Sequence, residues 1–162
     1  MPEFSIRCRT VGVLVGLAML AGCAVNAPVS KQAEPEPVRS PEQARELARQ
    51  GMLAHQQGQT SVAIEALQKA VALDPTDAAA ANNLALLLKQ QNRFEEAAGV
   101  LKTAIQASPD VADLHYNLAV ISEIYLLDLS AALSHYQRYT ELAAEEDKAV
   151  TGWMADLQRR LQ

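Results

Sequence analysis

The sequence predicts an all-α protein of three stacked helix-turn-helix units and a C-terminal capping helix, and three observations lead there. The 162 residues are 49% hydrophobic but only 4% aromatic, a composition that suits helices and disfavours a Tyr-rich β-sandwich. The segment AIEALQKAVALDP, Ala63 to Pro75, returns as AAGVLKTAIQASP, Ala97 to Pro109, at an offset of 34 residues. Within each copy the apolar residues recur at spacings of three and four, the period of one helix face. A net charge of −5, with no run of Lys and Arg to release counterions from phosphates, excludes a nucleic-acid binder.

The first element, residues 1–22, reads as a signal peptide. Arg7 and Arg9 precede the apolar run VGVLVGLAML, Val11 to Leu20, which ends in Ala21, Gly22 and Cys23. The run is about half of the roughly 20 residues that a membrane-spanning helix needs, so an uncleaved anchor is disfavoured. Leu20, Ala21, Gly22 and Cys23 resemble the lipobox of bacterial lipoproteins. That resemblance implies cleavage before Cys23, acylation of its thiol and firm membrane attachment, since several acyl chains hold where a single one does not. Ala24, standing where Asp would retain a lipoprotein at the inner membrane, implies the outer membrane, facing the periplasm. Cys8 leaves with the signal and Cys23 carries lipid, so no thiol remains for a disulfide, a metal or catalysis. The covalent lipid on Cys23 is the one non-protein group expected, with no cofactor.

Residues 23–40 form a tether rich in proline, with Pro28, Pro35 and Pro37 ahead of Pro41. At about 3.1 Å per residue it reaches roughly 50 Å when extended, and it reads equally as a spacer or as an unstructured leader with no length requirement. Ser40 is expected to cap the first helix through its hydroxyl, with Gln43 three residues on and Pro41 in the first turn, where its missing amide hydrogen does no harm. The folded domain then runs over 41–162.

The 34-residue period divides that domain into units 44–77, 78–111 and 112–145. Gly51 pairs with Ala85, Ala63 with Ala97, Leu67 with Leu101, Ala70 with Ala104, and Pro75 with Pro109. Gly58 and Asn92, the residue types that best tolerate a left-handed backbone, mark the turn inside each hairpin. The second helix of each unit presents an apolar face of Val62, Ala66, Leu67, Ala70 and Leu73, then Ala97, Val100, Leu101 and Ala104. One hairpin cannot bury such a face; a stack of them can. In the third unit a one-residue insertion near Leu126 to Ser130 aligns Ala132, no proline closes the unit, and His135, Tyr136 and Tyr139 call for a bulkier neighbour. The stripe Val150, Trp153, Met154, Leu157 and Leu161 supplies one, a capping helix over 147–161 with Trp153 in the core and Arg159 and Arg160 complementing the helix dipole.

Period, small residues and closing proline resemble the tetratricopeptide repeat, here over roughly Ala44 to Leu142. Gly51, Ala85 and Ala119 match its small eighth position; Ala63, Ala97 and Ala132 its twentieth; Ala70 and Ala104 its twenty-seventh. The resemblance implies a right-handed superhelix whose first helices line a groove for a partner's peptide segment. Carried over residue by residue, that groove holds Arg45, Arg49, Met52 and His55, then Asn82, Asn83, Leu86 and Lys89, then Asp113, Tyr116, Asn117, Val120 and Glu123. Asn83 and Asn117 offer amides to an extended backbone, and Met52, Leu86 and Tyr116 offer apolar contact. Ala48, Met52 and Asp113 occupy places where chaperone-linked members carry Lys or Asn, so their carboxylate clamp is not reproduced. The charge instead runs from basic at Arg45 and Arg49 to acidic at Asp113 and Glu123.

No motif carries catalysis. The sequence has no phosphate-binding glycine loop and no Gly-Xaa-Ser-Xaa-Gly elbow, and its three histidines, His55, His115 and His135, have no second ligand at metal-binding spacing. A non-enzymatic, lipid-anchored scaffold or assembly factor for an envelope complex is expected, its partners another envelope protein and the membrane, with no nucleic acid and no small-molecule substrate. Resemblance to outer-membrane lipoproteins points to type IV pilus or secretion machinery, in the manner of a pilotin. An accessory subunit of a peptidoglycan-processing or transport complex is the alternative, and a cryptic enzyme using His115 or His135 the remote one.

Overall fold

The computed structural model describes residues 40–162; the signal segment, Cys23 and all of the tether before Ser40 lie outside the described residues. Among the described residues the fold is all-α, with seven helices and no strand. They are α1 (Pro41–Gln56), α2 (Thr60–Leu73), α3 (Ala78–Gln90), α4 (Phe94–Ala107), α5 (Ala112–Ile124), α6 (Leu129–Leu142) and α7 (Lys148–Arg160). Each helix packs on the next, so α1/α2, α3/α4 and α5/α6 form hairpins, and α3 also touches α5. Helices α1, α3 and α5 end at 56, 90 and 124, while α2, α4 and α6 begin at 60, 94 and 129. The extra residue of the third unit therefore sits in its internal turn.

That turn is the place where the chain must reverse. Gly58 has φ 75 and Asn92 φ 58, and Leu127 takes the equivalent left-handed place with φ 56. Helices meet closely where the side chains are small: Gly51 is buried, and Ala63, Ala85, Ala97, Ala119 and Ala132 are 0% exposed. A Cβ added at Gly51 would stand 2.9 Å from Leu67 Cγ and 3.1 Å from the Ala63 carbonyl oxygen, so α1 and α2 leave no room for one.

Two apolar clusters result. The first joins α1 to α5 through Ile64, Leu67, Leu84, Leu88, Leu101, Leu114 and Leu118, and the second joins α5, α6 and α7 through Ala119, Ala132, Tyr136, Val150 and Leu157. Helix α5 is wedged between them and lacks a clean polar face for that reason. Tyr136, 1% exposed, is the largest buried side chain of the second cluster, and α7 is the neighbour that covers it, through Val150 and Leu157.

Several expectations are corrected. The Ser40 hydroxyl makes no capping bond; its backbone N–H donates to the Leu73 carbonyl at 3.4 Å, and its carbonyl accepts from Ala44 at 2.9 Å. Asp77, Asp128 and Asp147 do cap, at α3, α6 and α7. Val62 is 51% exposed, because the buried face of α2 is rotated onto Ala63, Ile64, Leu67 and Ala70. Trp153 and Leu161 are 41% and 44% exposed; α7 buries Val150 and Leu157 with Met154 beside them, and Trp153 lies on the flank.

Candidate functional site

Because each first helix repeats its position, residues one period apart on α3 and α5 come into register. Asn117 Nδ2 donates to Asn82 Oδ1 at 2.8 Å and to the Asp113 carbonyl at 3.1 Å, stitching the two helices across the face expected to bind a partner. Asn82 rather than Asn83 is thus the partner of Asn117, and the Asn117 amide hydrogens are already engaged. Asn83, Leu86 and Lys89 are half-buried on α3, as are Tyr116, Val120 and Glu123 on α5, while Asp113 is exposed.

The α1 members behave differently. Arg45 and Arg49 are exposed, Met52 and His55 half-buried. Arg49 forms a two-pronged pair with Glu46, Nη2 to Oε1 at 2.7 Å and Nε to Oε2 at 2.9 Å. That guanidinium, with help from the Gln50 amide, holds the Glu46 carboxyl down at about 2. The basic end of the face is weaker than the sequence implies, because a helix neighbour three residues back neutralises one of its two arginines. His55 Nδ1 is buried with no hydrogen-bond partner among the described residues.

The structure adds a feature that sequence spacing concealed. Tyr116, Val120 and Glu123 of α5 line a cleft of about 360 Å³ together with Ile124, Tyr136 of α6 and Trp153 of α7. The Tyr136 and Trp153 ring centroids lie 5.8 Å apart, those of Tyr116 and Tyr136 6.3 Å, and those of Tyr116 and Tyr139 5.2 Å. The Tyr136 hydroxyl donates to Glu123 Oε2 at 3.1 Å. Burial and the nearby carboxylate push that hydroxyl well above the ordinary tyrosine range, so it stays a donor. Glu123 Oε1 faces Arg160 Nη1 at 3.6 Å. Tyr136 and Trp153 fall 13 and 30 residues after Glu123, on α6 and α7, which a groove pattern built from first helices does not include, and no sequence signal links them to it.

Two of the histidines take a helix-packing role, through a contact that their spacing did not announce. His115 and His135 meet across α5 and α6, Nδ1 to Nδ1 at 3.1 Å, although they stand 20 residues apart. His115 Nε2 lies 3.0 Å from the Pro109 carbonyl oxygen, which can only accept, so Nε2 carries the proton and Nδ1 accepts from His135. His115 is 5% exposed, which makes this a satisfied interhelical hydrogen bond. Burial and the neighbouring His115 lower the pKa of His135 below the usual histidine value. Among the described residues no group of three or more His, Cys, Asp or Glu side chains gathers as a metal site would require.

A family model described as tetratricopeptide repeat matches residues 48–112 and again 82–147. Among solved structures, the first TPR of Spaghetti (RPAP3), bound to the HSP90 peptide SRMEEVD, is similar at TM-score 0.67 and 19% identity, covering 76% of this chain and 97% of that one. The first TPR domain of human RPAP3 is similar at TM-score 0.63 and 20% identity, covering 75% and 94%. The Sgt2 TPR domain from Aspergillus fumigatus is similar at TM-score 0.63 and 18% identity, covering 80% and 85%. No curated protein shows a significant match.

Proposed function

The chain belongs to the tetratricopeptide repeat family, a protein-interaction scaffold, and from that premise we propose a lipid-anchored envelope protein that captures a peptide segment of another envelope protein and performs no chemistry of its own. The lipobox resemblance at Leu20 to Cys23 supports the anchor and the periplasmic face of the outer membrane. Assembly of type IV pilus or secretion machinery is the pathway that the same resemblance supports.

The observation that carries the reading is the α3/α5 face. Asn82 and Asn117 lock two first helices side by side at 2.8 Å, so that Asn83, Leu86, Tyr116 and Val120 are held on one rigid surface, polar and apolar groups alternating. A rigid surface loses little entropy on binding, which favours recognition of a flexible segment. The absence of Lys and Asn at Ala48, Met52 and Asp113 separates this face from one built to grip an acidic chain terminus.

Crosslinking followed by affinity capture from membranes, with the lipidated chain as bait, tests this. The Asn83→Ala, Asn117→Ala double variant should lose a specific partner that the parent retains. Equal recovery by both would move the binding surface elsewhere. The anchor is checked separately: Cys23→Ser should release the protein from the membrane fraction, and undiminished retention would remove the lipid from the account.

A further inference from the structure

The internal turn of each hairpin occupies the same place in the fold three times. In the first two it is polar, Gln56-Gln57-Gly58 and Gln90-Gln91-Asn92; in the third it reads Ile124-Tyr125-Leu126-Leu127. Leu126 packs against the core, whereas Ile124, Tyr125 and Leu127 are 57%, 42% and 72% exposed. Leu127 at φ 56 also holds the left-handed backbone that Gly58 and Asn92 hold in the earlier turns. A bulky side chain is disfavoured in that conformation, and an apolar one is disfavoured in water. The Tyr125 ring stacks on Phe94 with centroids 4.1 Å apart and so serves the fold, but Asn or Gly would serve it better than Leu127, so Ile124 and Leu127 form an apolar lip that stability does not explain. The lip adjoins the aromatic cleft, since Ile124 lines it.

We propose that the lip and the cleft together dock a partner segment carrying a Lys or Arg side chain flanked by apolar residues. The cation enters beside Tyr116 and Trp153 toward Glu123, whose carboxylate the buried Tyr136 holds from beneath, and its apolar neighbours cover Ile124 and Leu127. This rests on the protein-binding reading above and adds the chemistry of what is bound. Charge selects the occupant: aromatic faces beside a carboxylate attract a cation and repel an anion. Glu123 Oε2 accepts from Tyr136, but among the described residues Oε1 has only the Arg160 guanidinium, 3.6 Å away, which also leans toward Asp156 at 3.8 Å. That loose pairing leaves Oε1 open to a better-placed donor and makes Arg160 a competitor for it. Glu123 and Asp128 flank the lip with negative charge, which disfavours an anionic lipid surface, and a net charge of −5 disfavours a second copy of the chain. The direction agrees with the charge gradient of the groove, whose acidic end lies on α5.

Trp153 is the single tryptophan of the chain, so its emission reads the cleft directly. The full chain, at constant detergent, is titrated with acetyl-Leu-Arg-Leu-Leu-amide and with the same peptide carrying Gln or Glu in place of Arg. The Arg peptide should shift Trp153 emission saturably, the Gln peptide should bind roughly tenfold more weakly, and the Glu peptide should not bind. Glu123→Gln should weaken the Arg peptide by about tenfold and Arg160→Ala should tighten it. Leu127→Asn should weaken it while raising the melting temperature, which separates docking from folding. Equal binding of the Glu and Arg peptides, no saturable response to the Arg peptide, or an unchanged affinity in Leu127→Asn overturns the proposal. So does the same emission shift produced without peptide, by phosphatidylglycerol vesicles or by raising the protein concentration. If the peptide experiment fails while Asn83→Ala, Asn117→Ala still loses its crosslinked partner, the cleft falls and the scaffold stands; if the parent captures no such partner, both fall.

Discussion

Gly51 and Gly99 both lie inside helices, yet their surroundings make them opposites. A methyl at Gly51 meets Leu67 at 2.9 Å and a backbone oxygen at 3.1 Å, whereas nothing lies within 4 Å of one at Gly99. Gly51→Ala should lower stability by about 1–3 kcal/mol through overpacking. Gly99→Ala should raise it by roughly 0.5–1 kcal/mol, because alanine loses less backbone entropy. Thermal melts of the two variants side by side check both signs. His135 offers a pH test. Its folded pKa is lowered, so the unfolded chain takes up the proton first, and stability must fall as pH drops below the ordinary histidine value of about 6.5. His135→Gln should flatten that part of the profile in urea melts between about pH 7.5 and 5; an unchanged slope would assign the effect to other groups. The need for a small residue at position 51 was legible because the period aligns it with Ala85 and Ala119. The His115–His135 contact was not, since a spacing of 20 residues acquires meaning only once α5 and α6 lie side by side.

Helix ends and helix faces show how far periodicity reaches. The internal turns at Gly58 and Asn92 follow from residue type alone, because few residues accept a left-handed backbone. Capping required more. Ser40 has the expected residue type, but its hydroxyl makes no bond, while Asp147 accepts from Ala149 at 3.0 Å and Val150 at 3.2 Å. Asp147→Ala should therefore cost about 1 kcal/mol and Ser40→Ala almost nothing, measured as shifts in the denaturant midpoint. Faces were legible to within a fraction of a turn. In α2 the pattern marks Leu67 and Ala70 correctly but misassigns Val62, and in α7 it marks Val150 and Leu157 but misassigns Trp153. Residues one position off a seam share its spacing, and only the angle at which the neighbouring helix crosses separates them. With 41% of its surface exposed, Trp153→Ala should destabilise by well under the roughly 3–5 kcal/mol of a buried aromatic.

Across the whole described unit, each hairpin buries its apolar side against the next, and α7 closes the series over Tyr136. Removing residues 143–162 would uncover Tyr136, Ala119 and Ala132 together. A chain ending at Leu142 should melt at lower temperature with a broader transition and bind a hydrophobic dye, whereas an unaltered melt would show α7 to be dispensable. The same closing helix shapes the cleft: Tyr116, Glu123, Tyr136 and Trp153 come from three helices, and no local pattern links them. By itself the sequence determined the helical class, the 34-residue unit, the turn positions and the places where helices approach closely, because these depend on backbone tolerance and side-chain size, properties each residue carries alone. Tertiary structure alone decided which side of α7 faces outward, which asparagines pair, and that aromatic rings gather around Glu123. Those are properties of pairs distant along the chain, and they arise only when the crossing angles of packed helices set which side chains meet.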